Sequence, residues 1–197
     1  AERVQSDIGE SSPLGMTTAG ALFFARPGAQ GNNIYAAEVG PDGKVSKPPV
    51  IAIDQYVNSN GGPALSPDGS SMAYYSRRSG NVYSLIVRTL STGQERVIPA
   101  QIRIIARFFA GPMWFPDGRS VLVFSDQDKK LGFYRVDLTS GSAQLLHSVT
   151  NQTISSYRLS LDGKSIFYCF QGTGEAALPP SGQLLRYDIG SEKPEVL

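Results

Sequence analysis

Short apolar runs recur along this chain, each introduced by a tight-turn signal and none sustaining a helical period. Met72-Ala73-Tyr74-Tyr75 follows Ser66-Pro67-Asp68-Gly69, and Val121-Leu122-Val123-Phe124 follows Phe115-Pro116-Asp117-Gly118. Ile166-Phe167-Tyr168-Cys169-Phe170 follows Ser160-Leu161-Asp162-Gly163, and a weaker copy, Thr17-Thr18-Ala19-Gly20, precedes Leu22-Phe23-Phe24. The four turn glycines lie 49, 49 and 45 residues apart. A period in the range of about 20–50 residues is the mark of a repeat architecture.

Each repeat reads as four short strands. In the second repeat these are 63–66, 71–77, 82–90 and 95–98, rich in β-branched and aromatic residues and separated by Gly, Ser, Asn and Pro. Pro at the second turn position presets φ, Asp bonds locally to the backbone, and Gly accepts the left-handed conformation. The third repeat gives strands at 112–115, 120–125, 133–138 and 143–147, and the fourth at 157–160, 165–170, 184–189 and 194–197. The first is looser, at 14–17, 21–25, 34–39 and 50–53. With 13 prolines and 21 glycines the chain is punctuated too often for long helices. Residues 101–109, where Ile102, Ile105 and Phe109 share a face, read as a long loop with at most one helical turn.

Consecutive four-stranded antiparallel sheets of this length predict an all-β chain, a β-propeller of four blades. The expected blades run approximately 10–53, 54–99, 100–148 and 149–197. The runs LSPDGSSMAYYSRRSGNVYSLIVRTLSTGQERVI and WFPDGRSVLVFSDQDKKLGFYRVDLTSGSAQLL resemble the WD40-like (PD40) repeats of the TolB-type propeller family. The fourth repeat departs from them with Leu161 in the proline position and an insertion at 172–182, and the first lacks both Pro and Asp. Glu2-Arg3-Val4 is similar to Glu95-Arg96-Val97, so residues 1–5 read as the last strand of a preceding blade. The chain is therefore expected to be part of a larger propeller, whose exposed blade edges invite self-association.

Composition narrows the function by exclusion. With 18 basic and 17 acidic residues the net charge is +1, so no global field points to nucleic acid. No apolar stretch approaches the roughly 18 residues of a membrane-spanning helix, so membrane insertion is not expected. Cys169 is the only cysteine, which leaves no internal disulfide and no cysteine-rich metal site. Asn151-Gln152-Thr153 has the form of a glycosylation sequon.

Candidate chemistry is sparse. Asp68, Asp117 and Asp162, with Gly69, Gly118 and Gly163, are expected to be structural turn residues, spread over successive blades rather than paired for catalysis. The single histidine, His147, is expected at a solvent-facing strand end, and no Gly-x-Ser-x-Gly elbow accompanies it. Cys169 reads as a small core residue and Trp114 as core filling near the channel. Asp126-Gln127-Asp128 has calcium-like spacing but lacks the later acidic ligands, and with Lys129 and Lys130 reads as a hairpin tip. No catalytic residue, cofactor or metal is expected.

What remains is a surface. Loops joining the second to the third strand, and one blade to the next, share one end of a propeller. They hold Arg26, Asn58, Asn60, Arg77, Arg78, Arg103, Arg107, Asp126, Asp128, Lys129 and Lys130. Arg77, Arg78, Arg103, Arg107, Phe108 and Phe109 combine the arginines and aromatics that make interface hot spots, and form the expected partner-binding face. The first reading is thus a non-catalytic scaffold that binds a protein or peptide. The resemblance implies a periplasmic or other extracytoplasmic bacterial setting. It also implies two alternatives: the substrate-gating propeller of a prolyl-oligopeptidase- or tricorn-like serine peptidase and, more remotely, a polysaccharide-acting propeller enzyme.

Overall fold

The computed structural model describes residues 12–17, 20–28, 31–79, 82–100, 103–104, 111–127, 129–149, 153–171 and 183–197. Residues 1–5 and the 172–182 insertion lie outside them. Every regular element among the described residues is a strand.

The chain divides into two compact units, 1–97 and 98–197. In the first, β1 (Ser12–Met16), β2 (Ala21–Gly28), β3 (Gly31–Glu38) and β4 (Val50–Ile51) form blade 1. Blade 2 comprises β5 (Asn60–Leu65), β6 (Ser71–Ser79), β7 (Val82–Thr89) and β8 (Glu95–Ile98). In the second unit, blade 3 holds β9 (Arg103–Ile104), β10 (Met113–Trp114), β11 (Ser120–Gln127), β12 (Lys130–Asp137) and β13 (Ala143–Ser148). Blade 4 holds β14 (Thr153–Leu159), β15 (Ser165–Gln171), β16 (Leu184–Asp188) and β17 (Glu195–Val196). All pairings within the blades are antiparallel, and the four blades are of the expected β-propeller type.

One expectation changes. Within the stretch read as a loop, Arg103 and Ile104 form a strand that pairs with Asp126 and Ser125. The innermost strand of blade 3 is therefore split into β9 and β10, both on the same edge of β11. The equivalent strands β1, β5 and β14 each carry a register shift instead, between Pro13 and Gly15, Gly61 and Ala64, and Ile154 and Ser156. An irregular innermost strand thus recurs in every blade.

The repeat is written in hydrogen bonds at one end of each blade. Gly69 (φ 70°) donates to the Ser66 carbonyl at 2.8 Å, and Ser66 donates back across the turn to Ser71. Ser66 Oγ and the Ser70 amide both bond Asp68, which lowers its pKa to about 2, the Ser66 hydroxyl contributing most. The support this gives the fold is present above pH 3.8 and disappears as pH falls toward 2. Ser160, Asp162 and Gly163 repeat the arrangement. In blade 3, Phe115 replaces the serine, and Asp117 takes the Ser120 hydroxyl and the Arg135 guanidinium instead. Arg135 in turn lies 4.3 Å over the Phe115 ring.

The core of the first unit is Phe23, Ile34, Ile53, Met72, Tyr74 and Ile86. That of the second is built around Leu122, Phe133, Tyr157, Ile166, Tyr168 and Tyr187, with Phe133 contacting both Tyr157 and Tyr168. Each such side chain contributes about 1.5–3 kcal/mol through burial. β11 is buried on both faces over most of its length, which is why its sequence is a continuous apolar run rather than an alternation.

Two glycines separate conformational from steric constraint. Gly118 is left-handed (φ 63°) with nothing within 4 Å of where a Cβ would stand. In Gly132, by contrast, a Cβ would stand 2.2 Å from the His147 carbonyl oxygen. Gly118→Ala is expected to cost about 1–2 kcal/mol, the left-handed penalty alone. Gly132→Ala is expected to cost on the order of 3 kcal/mol, because backbone must move. Urea unfolding of the two variants tests this, and the reverse order would contradict the account.

Candidate functional site

The segment between β4 and β5 presents two large apolar side chains to solvent, Tyr56 at 47% and Val57 at 46% exposure. Its backbone is held in an unusual form. Tyr56 (φ 51°) and Asn58 (φ 66°) are both left-handed, a conformation that asparagine tolerates and tyrosine does not favour. Ser59 closes the turn by donating to the Tyr56 carbonyl at 3.0 Å.

Buried amides impose that shape. The Asn58 amide donates to Asn33 Oδ1 at 2.7 Å, and Asn33 Nδ2 returns a bond to Asn58 Oδ1 at 2.9 Å. Asn60 Nδ2 donates to the carbonyls of Gln55 and Tyr56 at 2.8 and 3.0 Å. Asn33 and Asn60 are 5% and 1% exposed, so both are fixed by the strands that carry them. Beneath the tip, the Arg78 guanidinium lies 4.8 Å from the Tyr56 ring centroid.

Arg78 is itself anchored. It pairs with Glu95, whose other oxygen accepts from Tyr74 Oη at 2.7 Å and Arg88 Nη1 at 2.9 Å. Burial raises the Glu95 pKa, but bonds from Tyr74, Arg78 and Arg88 outweigh it and leave the carboxyl below its ordinary value. The Tyr56 platform therefore rests on an ion cluster, two guanidiniums on one carboxylate, whose side chains are only 10–20% exposed.

Of the residues singled out from sequence, Arg77 is half-buried on β6, its amide bonded to the Ser59 carbonyl at 2.9 Å. Arg103 is exposed on β9 and paired with Asp126 in the second unit. Arg107, Phe108, Phe109 and Asp128 lie outside the described residues. Asp68, Gly69, Asp117, Gly118, Asp162 and Gly163 all occupy turns. Tyr56 and Val57 were missed, because two apolar residues in a polar loop carry no periodicity. The available signal was Asn58 and Asn60 beside them, since asparagine often marks left-handed or locally bonded backbone.

Three expectations are corrected. His147 is not a solvent-facing strand end: its ring stacks 4.1 Å from that of Tyr187, and Nε2 shares a 2.9 Å hydrogen bond with Tyr168 Oη. The register of β13 on β12 sets it opposite Phe133, which turns the ring into the aromatic cluster. Burial lowers its pKa, and also raises that of Tyr168 to about 12. Cys169 and Trp114 are only half-buried, so neither is a full core residue. Among the described residues no cluster of three or more His, Cys, Asp or Glu is arranged to hold a metal ion.

No family model and no curated protein matches this sequence. Solved structures do. TolB from Acinetobacter baumannii superposes with a TM-score of 0.71 over 94% of this chain, at 22% identity. The fold is TolB-like. The chain spans 42% of that TolB chain, less than half of its length. A chain of a nidogen–laminin complex matches at a TM-score of 0.66 and 11% identity, over 94% of this chain and 63% of its own. A prolyl endopeptidase matches at 0.57 and 17%, over 94% and 29%. At these identities the likeness is one of fold.

Glu95→Gln is expected to cost about 3 kcal/mol in urea unfolding, because it leaves Arg78 and Arg88 without a carboxylate. Glu38→Gln, which breaks the exposed pair with Lys47, is the control and should cost less than about 1 kcal/mol; equal losses would refute the platform. A second expectation concerns acid. His147 has a depressed folded pKa, so wild-type stability is full above pH 6.5 and falls as pH drops below it, where the unfolded chain takes up the proton first. His147→Phe keeps the stack and should flatten the pH profile below 6.5. A wild-type profile that is already flat would sink the assignment.

Proposed function

We propose that this chain is a non-catalytic binding propeller whose partner, a protein or peptide, docks on the end that carries Tyr56. The observation that carries the reading is the Tyr56–Asn58 turn. Two exposed apolar side chains stand on backbone that is left-handed at non-glycine positions and held by Asn33, Asn60 and Arg78. Such strain costs roughly 1–3 kcal/mol per residue and persists only where surrounding structure imposes it, most often at ligand clamps and other functional sites. A rigid tyrosine over an arginine is also what interface hot spots favour, since little conformational entropy is lost on binding.

The TolB-like fold supports the same reading, as does the likeness to a propeller found in a nidogen–laminin complex. Arg77, named for this face from the sequence, lies on β6 with its backbone amide bonded to the Ser59 carbonyl of the turn. The compartment that accompanies this reading is extracytoplasmic, the setting implied by the TolB resemblance. No helix among the described residues is long and apolar enough to cross a membrane.

Panning a random peptide display library against the chain tests the proposal. Peptides are expected to enrich and to bind the wild type at micromolar Kd. Tyr56→Ala should weaken them at least about tenfold, equivalent to roughly 1.4 kcal/mol, without lowering the melting temperature. No enrichment, or peptides indifferent to Tyr56→Ala, would overturn it.

A further inference from the structure

A concavity lies at the turn end of blade 3. It has a volume of about 470 Å³ and is open to solvent. Ser120 on β11, Arg135 and Asp137 on β12, and Gln144 on β13 line it, with Ala143 at its wall and Arg119 on its rim. The registers Ser120↔Asp137 and Arg135↔Gln144 put these side chains in two rows, two residues apart along β12. That spacing is about 7 Å.

The groove is preformed. Arg135 spends Nε on Ser120 Oγ at 2.8 Å and Nη2 on Asp117, and its plane lies over Phe115. Asp137 spends Oδ1 on the amides of Thr139 and Ser140, at 3.0 and 2.7 Å. Among the described residues, Arg135 Nη1, Asp137 Oδ2, and the Gln144 and Arg119 heads take no partner. Donors and acceptors thus remain on fixed supports.

The charge balance selects the ligand. Arg135 is neutralised by Asp117, and Arg119 and Asp137 carry opposite charges two strand ends apart in the same depression. An anion or a cation gains no net field there, yet both would lose hydration. A neutral molecule whose groups both donate and accept meets every spare atom without that cost. The geometry points to a carbohydrate site, for a neutral sugar of one or two residues, distinct from the Tyr56 end. A volume within the range of about 300–1,000 Å³ suits a molecule of that size. No exposed aromatic ring lines the groove among the residues named, so selectivity rests on hydrogen bonds and affinity is expected in the millimolar range.

Blade 4 provides an internal comparison. Asp162, Ser165, Arg186 and Asp188 are the counterparts of Asp117, Ser120, Arg135 and Asp137, but Arg186 bonds Asp188 at 2.9 Å, as does Ser165 at 2.6 Å. In both blades the strand-end aspartate spends Oδ1: Asp137 on the turn amides, Asp188 on Arg186 and Ser165. Phe115 stands where blade 4 has Ser160, and Arg135 bonds Asp117 rather than the strand-end aspartate.

The test is a ¹H–¹⁵N NMR titration of the whole chain with maltose, cellobiose and lactose, set against galacturonate and the dipeptide Ala-Ala. Saturable shifts of the Arg119, Ala143 and Gln144 amides with at least one neutral disaccharide are expected. Gln144→Ala and Arg119→Gln, both at exposed side chains, should weaken that sugar at least about fivefold and leave the spectrum otherwise folded. Saturation by galacturonate or Ala-Ala alone would overturn the ligand class, and no saturable shift with any probe would overturn the site. The outcome is independent of the Tyr56 peptide experiment.

Discussion

One backbone hydrogen bond closes every blade at the same end. The residue that follows the third strand donates its amide to a carbonyl at the end of the first turn: Val39 to Gly20, Leu90 to Ser70, Leu138 to Arg119 and Ile189 to Lys164, at 2.7–2.9 Å. That bond forms only if the first turn reverses tightly, which requires a glycine with positive φ at Gly20, Gly69, Gly118 and Gly163. The aspartate beside that glycine stiffens the turn in three blades, and in blade 1 Thr17 Oγ1 does so by accepting from the Ala21 amide at 3.0 Å. Strand register, and with it the assignment of side chains to the two faces of each blade, follows from this closure.

The four blades solve the turn with different side chains, and the differences propagate. Where blade 2 uses the Ser66 hydroxyl, blade 3 has Phe115, and Asp117 bonds the Ser120 hydroxyl and Arg135 of the third strand. That choice leaves Asp137 bonded to the turn amides rather than to an arginine, beside the polar depression of blade 3. In blade 2 the corresponding strand carries Arg88 on the other face, where it joins Arg78 and Tyr74 on Glu95 and supports the Tyr56 turn. The two candidate binding features thus each trace back to where one arginine of the third strand is spent.

Legibility from sequence followed the same logic. β6, β11 and β15 begin at Ser71, Ser120 and Ser165, as the Asp-Gly turns predict, because turn chemistry is local and the apolar runs behind it are long. β5 begins at Asn60 rather than Pro63, since Gly61 and Gly62 look like loop but are absorbed by a bulge. Arg103–Ile104 was hidden because two residues show no alternation. Tyr56 and Val57 were hidden for a different reason: their conformation is dictated by Asn33, some 25 positions away, through contacts that no local pattern encodes. His147 was misplaced likewise, its environment being supplied by Tyr168 and Tyr187 of the next blade.

The closing bond uses the first residue beyond the third strand, so everything past it is dispensable to the closure. Blade 1 shows this: eleven residues separate β3 from β4, against five between β7 and β8, yet Val39 still reaches Gly20. At the opposite end, two residues join β11 to β12 while twelve lie between β15 and β16. Inheritance can therefore lengthen or rewrite these connections without renegotiating the fold. The end that carries Tyr56 is where a lineage of such proteins is free to vary in length and sequence.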